Sequence, residues 1–101
     1  MMKVMISQPM NGKTDEEIRK ERAPVVLALS DLGYYVVDTI FSEEPPADVK
    51  NRGLWYLAKS IEKMSEVDAM FFMSGWRNAR GCVIERLCAE KYGLFILGED
   101  L

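Results

Sequence analysis

Four short apolar runs, separated by stretches of helical period, constrain the fold of this chain more than anything else in it. Val4-Met5-Ile6, Tyr34-Tyr35-Val36-Val37-Asp38, Asp68-Ala69-Met70-Phe71-Phe72-Met73 and Leu94-Phe95-Ile96-Leu97 are bounded by turn residues and are rich in the aliphatic and aromatic side chains that suit strands. Three helical segments lie between them. The first opens at Thr14, where Thr14 and Glu17 have capping-box spacing and Asp15, Glu16 and Glu17 put negative charge in the first turn. Its stripe runs through Ile18, Val25, Val26, Leu29 and Leu32 to a stop at Gly33; Pro24 lies inside it and predicts a kink or break. Leu54, Leu57, Ala58, Ile61 and Met64 form the stripe of the second helix, with Tyr56 and Ser60 on another side, and Ala79 to Lys91 forms the third. Between the second strand and second helix, Ser42 to Lys50 is an acidic loop with Pro45-Pro46, longer than most connections. Strands alternating with helices predict a single α/β domain over residues 1–101: a Rossmann/flavodoxin-like three-layer sandwich with a mostly parallel four-stranded sheet and right-handed crossovers.

Composition removes several function classes. A net charge of −3 with no basic stripe argues against duplex nucleic acid as a partner. The chain has no histidine, and Cys82 and Cys88 are six apart, so neither a metal site, a structural disulfide nor a bound cofactor is expected. Its longest apolar runs are far below a membrane span, which predicts a cytoplasmic protein with reduced thiols and no membrane association. No GxGxxG, Walker A or Ser-His-Asp arrangement occurs.

The site expected from this architecture is the carboxyl edge of the sheet. If the first and third strands are neighbours, a crevice opens there between the loops 7–12 and 74–81. The third helix begins behind Gly75-Trp76 and Ala79-Arg80-Gly81 and carries Glu85 in its second turn. Its helical neighbours Gly81, Cys82, Cys88 and Ala89 are small, leaving room for a ligand to reach the carboxylate. Two readings stand: a reactive acid, or a solvated surface glutamate. Several others divide in the same way. Arg80 is a phosphate partner or a surface arginine, and Trp76 is a stacking platform or a lid packed on the core. Cys82 is a low-pKa thiol or a packing residue. Asn11-Gly12 supplies polar groups or only a turn, Asp68 binds ligand or pins a strand edge, and Trp55 and Tyr56 belong to the core, to a subunit interface or to a ligand contact.

Lys3-Val4-Met5-Ile6-Ser7-Gln8-Pro9-Met10-Asn11-Gly12, Val67-Asp68 before an apolar strand, and Gly75-Trp76 followed by Arg80-Gly81-Cys82-Val83-Ile84-Glu85 and Ala89 resemble the nucleoside 2-deoxyribosyltransferase superfamily, including its 2'-deoxynucleoside 5'-phosphate N-hydrolases and small phage and bacterial members. The resemblance spans nearly the whole chain. It implies N-glycosidic bond chemistry on a small nucleoside or nucleotide, hydrolysis or deoxyribosyl transfer, with Glu85 as nucleophile. It also implies a homodimer or higher homo-oligomer. The binding set it implies comprises Ser7, Gln8, Pro9, Asn11 and Gly12 in the first loop, Ser60 on the second helix, and Gly75, Trp76, Ala79, Arg80 and Gly81 around the start of the third. The chain departs from the superfamily pattern at three positions: Met5 replaces a tyrosine that orients the nucleophile, Ser60 a carboxylate, and Ala79 a serine or aspartate. A non-catalytic nucleotide-binding or sequestering protein of the same fold is the alternative expectation.

Overall fold

A computed structural model describes residues 1–39 and 43–98. Strand β1 (Lys3–Ser7) leads into helix α1 (Asp15–Asp31), β2 (Tyr35–Val37), α2 (Arg52–Met64), β3 (Ala69–Phe72), a single 3-10 turn (Trp76–Asn78), α3 (Arg80–Lys91) and β4 (Phe95–Leu97). The four strands form one sheet in the order β2-β1-β3-β4, with every pairing parallel. The α/β Rossmann/flavodoxin-like architecture expected from the strand and helix alternation is therefore present. The first residue of the expected acidic loop, Ser42, lies outside the described residues.

Local chemistry sets the element ends. Thr14 caps α1 by accepting from the Glu17 backbone N–H at 3.2 Å, while the Glu17 carboxylate accepts from the Thr14 N–H at 3.0 Å, the reciprocal bonds of a capping box. Beyond Leu32 the chain turns at Gly33 with φ of 92°, a left-handed conformation that glycine adopts without strain. Of the kink or break expected at Pro24, the break does not occur: the helix runs through it to Asp31. The residue is exposed, so water can take the carbonyl that loses its partner. Ile18 and Leu29 are buried, one in each half of the helix, and Leu29 packs against Val4, Ile6 and Ala69 of the sheet.

Alternation along the strands divides the interior in two. Val4, Ile6 and Ala69 face α1 and pack with Val25, Val26 and Leu29. Met5, Met70 and Phe72 face the opposite side, with Met64 of α2, Cys82 and Ala89 of α3, and Trp76. One helix thus covers one face and two cover the other. The apolar stripe expected to bury α2 does not do so: Leu54 is 60 % exposed and Ile61 39 %, and only Met64 is fully buried. Of that stripe Leu57 is half-buried, and so are Trp55, Tyr56, Lys59, Ser60 and Lys63 from outside it. Trp55 meets the Tyr56 ring edge-on at 5.1 Å, and the Lys59 ammonium lies 5.2 Å from the Trp55 ring. Among the described residues no helix is long and apolar enough to cross a membrane.

Candidate functional site at the carboxyl edge of the sheet

The register Val4↔Ala69 through Ser7↔Phe72 brings β1 and β3 to a common carboxyl edge, and the loops that follow them meet there. A Cβ at Gly75 would stand 3.7 Å from Pro9 Cγ, and Gly75 has φ of 91°, which only glycine adopts freely. The chain then makes the 3-10 turn and enters α3. Ala79, the residue before α3, offers no side-chain cap, and the first turn carries no acid. The first N–H groups of α3 are free of the competition that Thr14 and three acids impose on α1.

Cys82, Glu85 and Ala89 form the buried line of α3, spaced by three and four residues. Glu85 is 8 % exposed, so it is not a solvated surface glutamate. Burial pushes its carboxyl above the ordinary value of 4.5; the neighbouring Ser7 hydroxyl and the Arg22 guanidinium act in the other direction. The Ser7 hydroxyl stands beside both Glu85 and the Cys82 thiol and partly offsets the rise that burial causes in each. It nevertheless completes no hydrogen bond of ordinary geometry and is left as a buried hydroxyl with unused capacity. Burial raises the Cys82 thiol, and Glu85 adds to the effect; the side chain packs in the core cluster with Met5, Met70 and Phe72.

Arg22, which the sequence did not single out, is the cation of this region. It is 5 % exposed; its Nε donates to Gln8 Oε1 at 2.9 Å and its Nη1 to Thr39 Oγ1 at 3.1 Å. Gln8 Nε2 in turn donates to the Ile18 carbonyl at 2.9 Å. Both ends of the Gln8 amide are therefore engaged inside the protein, tying the end of β1 to α1. A signal for Arg22 was present: it occupies the place in the Ile18-to-Leu29 stripe where an apolar residue belongs, and a charge there is buried unless the helix turns away.

The other expected site residues separate. Trp76 is buried in the core cluster at 5.6 Å from the Phe72 ring, with the guanidinium carbons of Arg77 and Arg86 at 4.7 and 4.8 Å from its ring centre; of its two readings, the packed one holds. Asn11 and Gly12 are exposed in the first loop, and Pro9, Ala79, Gly81 and Ser60 are half-buried. Arg80 is exposed, and its Nη2 lies 3.6 Å from where a Cβ of Gly53 would stand, so it reaches across to the first turn of α2. Asp68 accepts from the Lys3 backbone N–H at 2.8 Å, which pins the amino ends of β1 and β3 together, far from the carboxyl edge. Cys82 and Cys88 are free thiols.

The edge thus brings together a buried acid, an uncommitted hydroxyl, a buried cation and an uncapped helix start. No curated protein and no solved structure matches the chain. A family model described as a domain of unknown function, DUF4406, matches residues 2–98, and the chain therefore belongs to the DUF4406 family.

Proposed function

We propose that this protein acts on the N-glycosidic bond of a small nucleoside or nucleotide, as a hydrolase or deoxyribosyltransferase-like enzyme with Glu85 as nucleophile. The observation that carries the reading is the enclosure of Glu85 at the carboxyl edge, beside Ser7 and within the field of Arg22. A carboxylate held away from water is a better nucleophile toward an anomeric carbon. Its oxygen bonds to C1′ as the C1′–N bond breaks; the bonding pair leaves with the base, which takes a proton on its ring. Water or a second base then displaces the glycosyl ester and frees Glu85. The Ala79 N–H is taken by the Trp76 carbonyl, but the backbone N–H groups of Arg80 and Gly81 at the start of α3 have no side-chain cap and, with the Arg80 side chain beside them, are suited to a phosphate or sugar oxygen.

One observation favours the alternative of a nucleotide-binding protein without turnover. Met5, which stands where relatives by resemblance carry an orienting tyrosine, is 1 % exposed in the core, so no hydroxyl comes from that position to direct Glu85. The proposal includes a cytoplasmic setting and a homodimer or larger assembly, in which a second copy covers the apolar residues left open on α2. Incubation with a panel of deoxynucleosides and their 5′-monophosphates, followed by chromatography for free base, decides between the readings. Base release that Glu85→Gln abolishes, with ligand-induced thermal stabilisation retained, supports the enzyme. Stabilisation without any base release establishes the binder instead.

A further inference from the structure

We infer that the open groove between α1 and β2, on the face of the sheet opposite Glu85, is a second ligand site that takes a small anionic amphiphile, its carboxylate on Arg19 and Arg22 and its apolar chain along the groove. Ala23, Val26 and Leu27 of α1 and Val36 and Val37 of β2 form the apolar walls of this concavity of about 490 Å³, a size typical of small-molecule sites. Both arginines line it as well.

Charge selects the occupant. Arg22 is held rigidly by Gln8 and Thr39, yet its Nη2 has no hydrogen-bond partner, and the nearest carboxylate, the largely exposed Asp38, stands at 4.0 Å, the outer limit of an ion pair. Buried guanidinium groups are ordinarily paired. Burial lowers the Arg22 pKa, Asp38 and Glu85 act in the other direction, and Arg19 adds repulsion, so what stands unmet at this guanidinium is the buried Nη2 donor. An incoming carboxylate supplies the acceptor that Nη2 lacks and matches the planar fork of a guanidinium. Ser30 and the exposed Asp38 complete the lining; apolar walls with two arginines among them suit a monocarboxylate with a hydrocarbon body better than a sugar or a bare inorganic anion.

Amide NMR shifts of the full chain during titration with octanoate, with octanol and octylamine as controls, test the site. Octanoate should move amides of α1 and β2 and bind at least about tenfold tighter than either control, the worth of one charged hydrogen bond. Arg19→Ala should weaken octanoate by about tenfold and leave octanol unchanged. Ala23→Trp should fill the groove and abolish binding of both. Arg19 and Ala23 are exposed, so neither change threatens the fold. Equal binding of octanoate and octanol, no shifts in α1 and β2, or an Arg19→Ala variant that binds octanoate as before would each overturn the inference.

Discussion

Helices α2 and α3 lie on the same face of the sheet, yet they are held in opposite ways. α3 has a weak apolar pattern but is fixed by three small or polar buried residues, Cys82, Glu85 and Ala89, set against Met5, Met70 and Phe72. α2 has the cleaner apolar stripe and turns much of it to solvent, burying only Met64 completely. An apolar stripe states that some surface will cover it, not which surface. Close approach of a helix to a sheet depends instead on small side chains along the contact line, and α3 has them.

The largest expected effect tests the tightly packed side of that comparison. Phe72→Ala empties the space shared by Trp76, Met5 and the Arg86 guanidinium, and should lower the unfolding free energy by about 3–5 kcal/mol in urea titration. A loss below about 1 kcal/mol would mean that α3 is held by something other than this core.

A smaller effect, read through pH, concerns Glu85. Its folded pKa is raised, chiefly by burial, so the folded state prefers the protonated carboxyl. Its contribution to stability is present below the ordinary glutamate value of 4.5 and is lost as pH rises through the higher folded value. Glu85→Gln resembles the protonated form, so it should flatten stability against pH in that window and make the protein more stable than the parent at neutral pH. An unchanged pH dependence would show that Glu85 is charged in the fold without penalty.

The smallest effect belongs to α2. Because Leu54 and Ile61 are exposed, Leu54→Asp with Ile61→Asp should change the stability of the single chain by less than about 0.5 kcal/mol per site. In the proposed assembly the same pair should reduce the mass measured by light scattering to that of one chain. Parent and variant both running as monomers would leave the α2 stripe without a second copy to cover it.

How far the sequence reached follows the same division. Strand positions, the Thr14 cap and the Gly33 stop were readable, because each rests on local chemistry; the adjacency of β1 and β3 entered only as a condition, since strand order depends on long-range pairing. Glu85 was placed at the correct edge by its distance from a glycine-bordered turn. The depth of its burial was not readable, since that depends on Ser7 and Arg22 arriving from elements 63 to 78 residues away in the chain. Gln8 looked like a ligand donor because its internal partners, Ile18 and Arg22, become neighbours only when α1 folds back. Pro24 looked like a break because the rule for isolated helices omits the sheet that supports this one.

The meeting of Pro9 with Gly75 sets a clock on whatever chemistry Glu85 performs. Should a ligand reach Glu85 from this edge, as the proposed function requires, the two touching loops would have to part for it, and such parting belongs to the microsecond-to-millisecond range of loop opening rather than to bond making. In that proposed reaction ligand and water would share the same brief openings, so a glycosyl ester on Glu85 would outlast one left in bulk solvent.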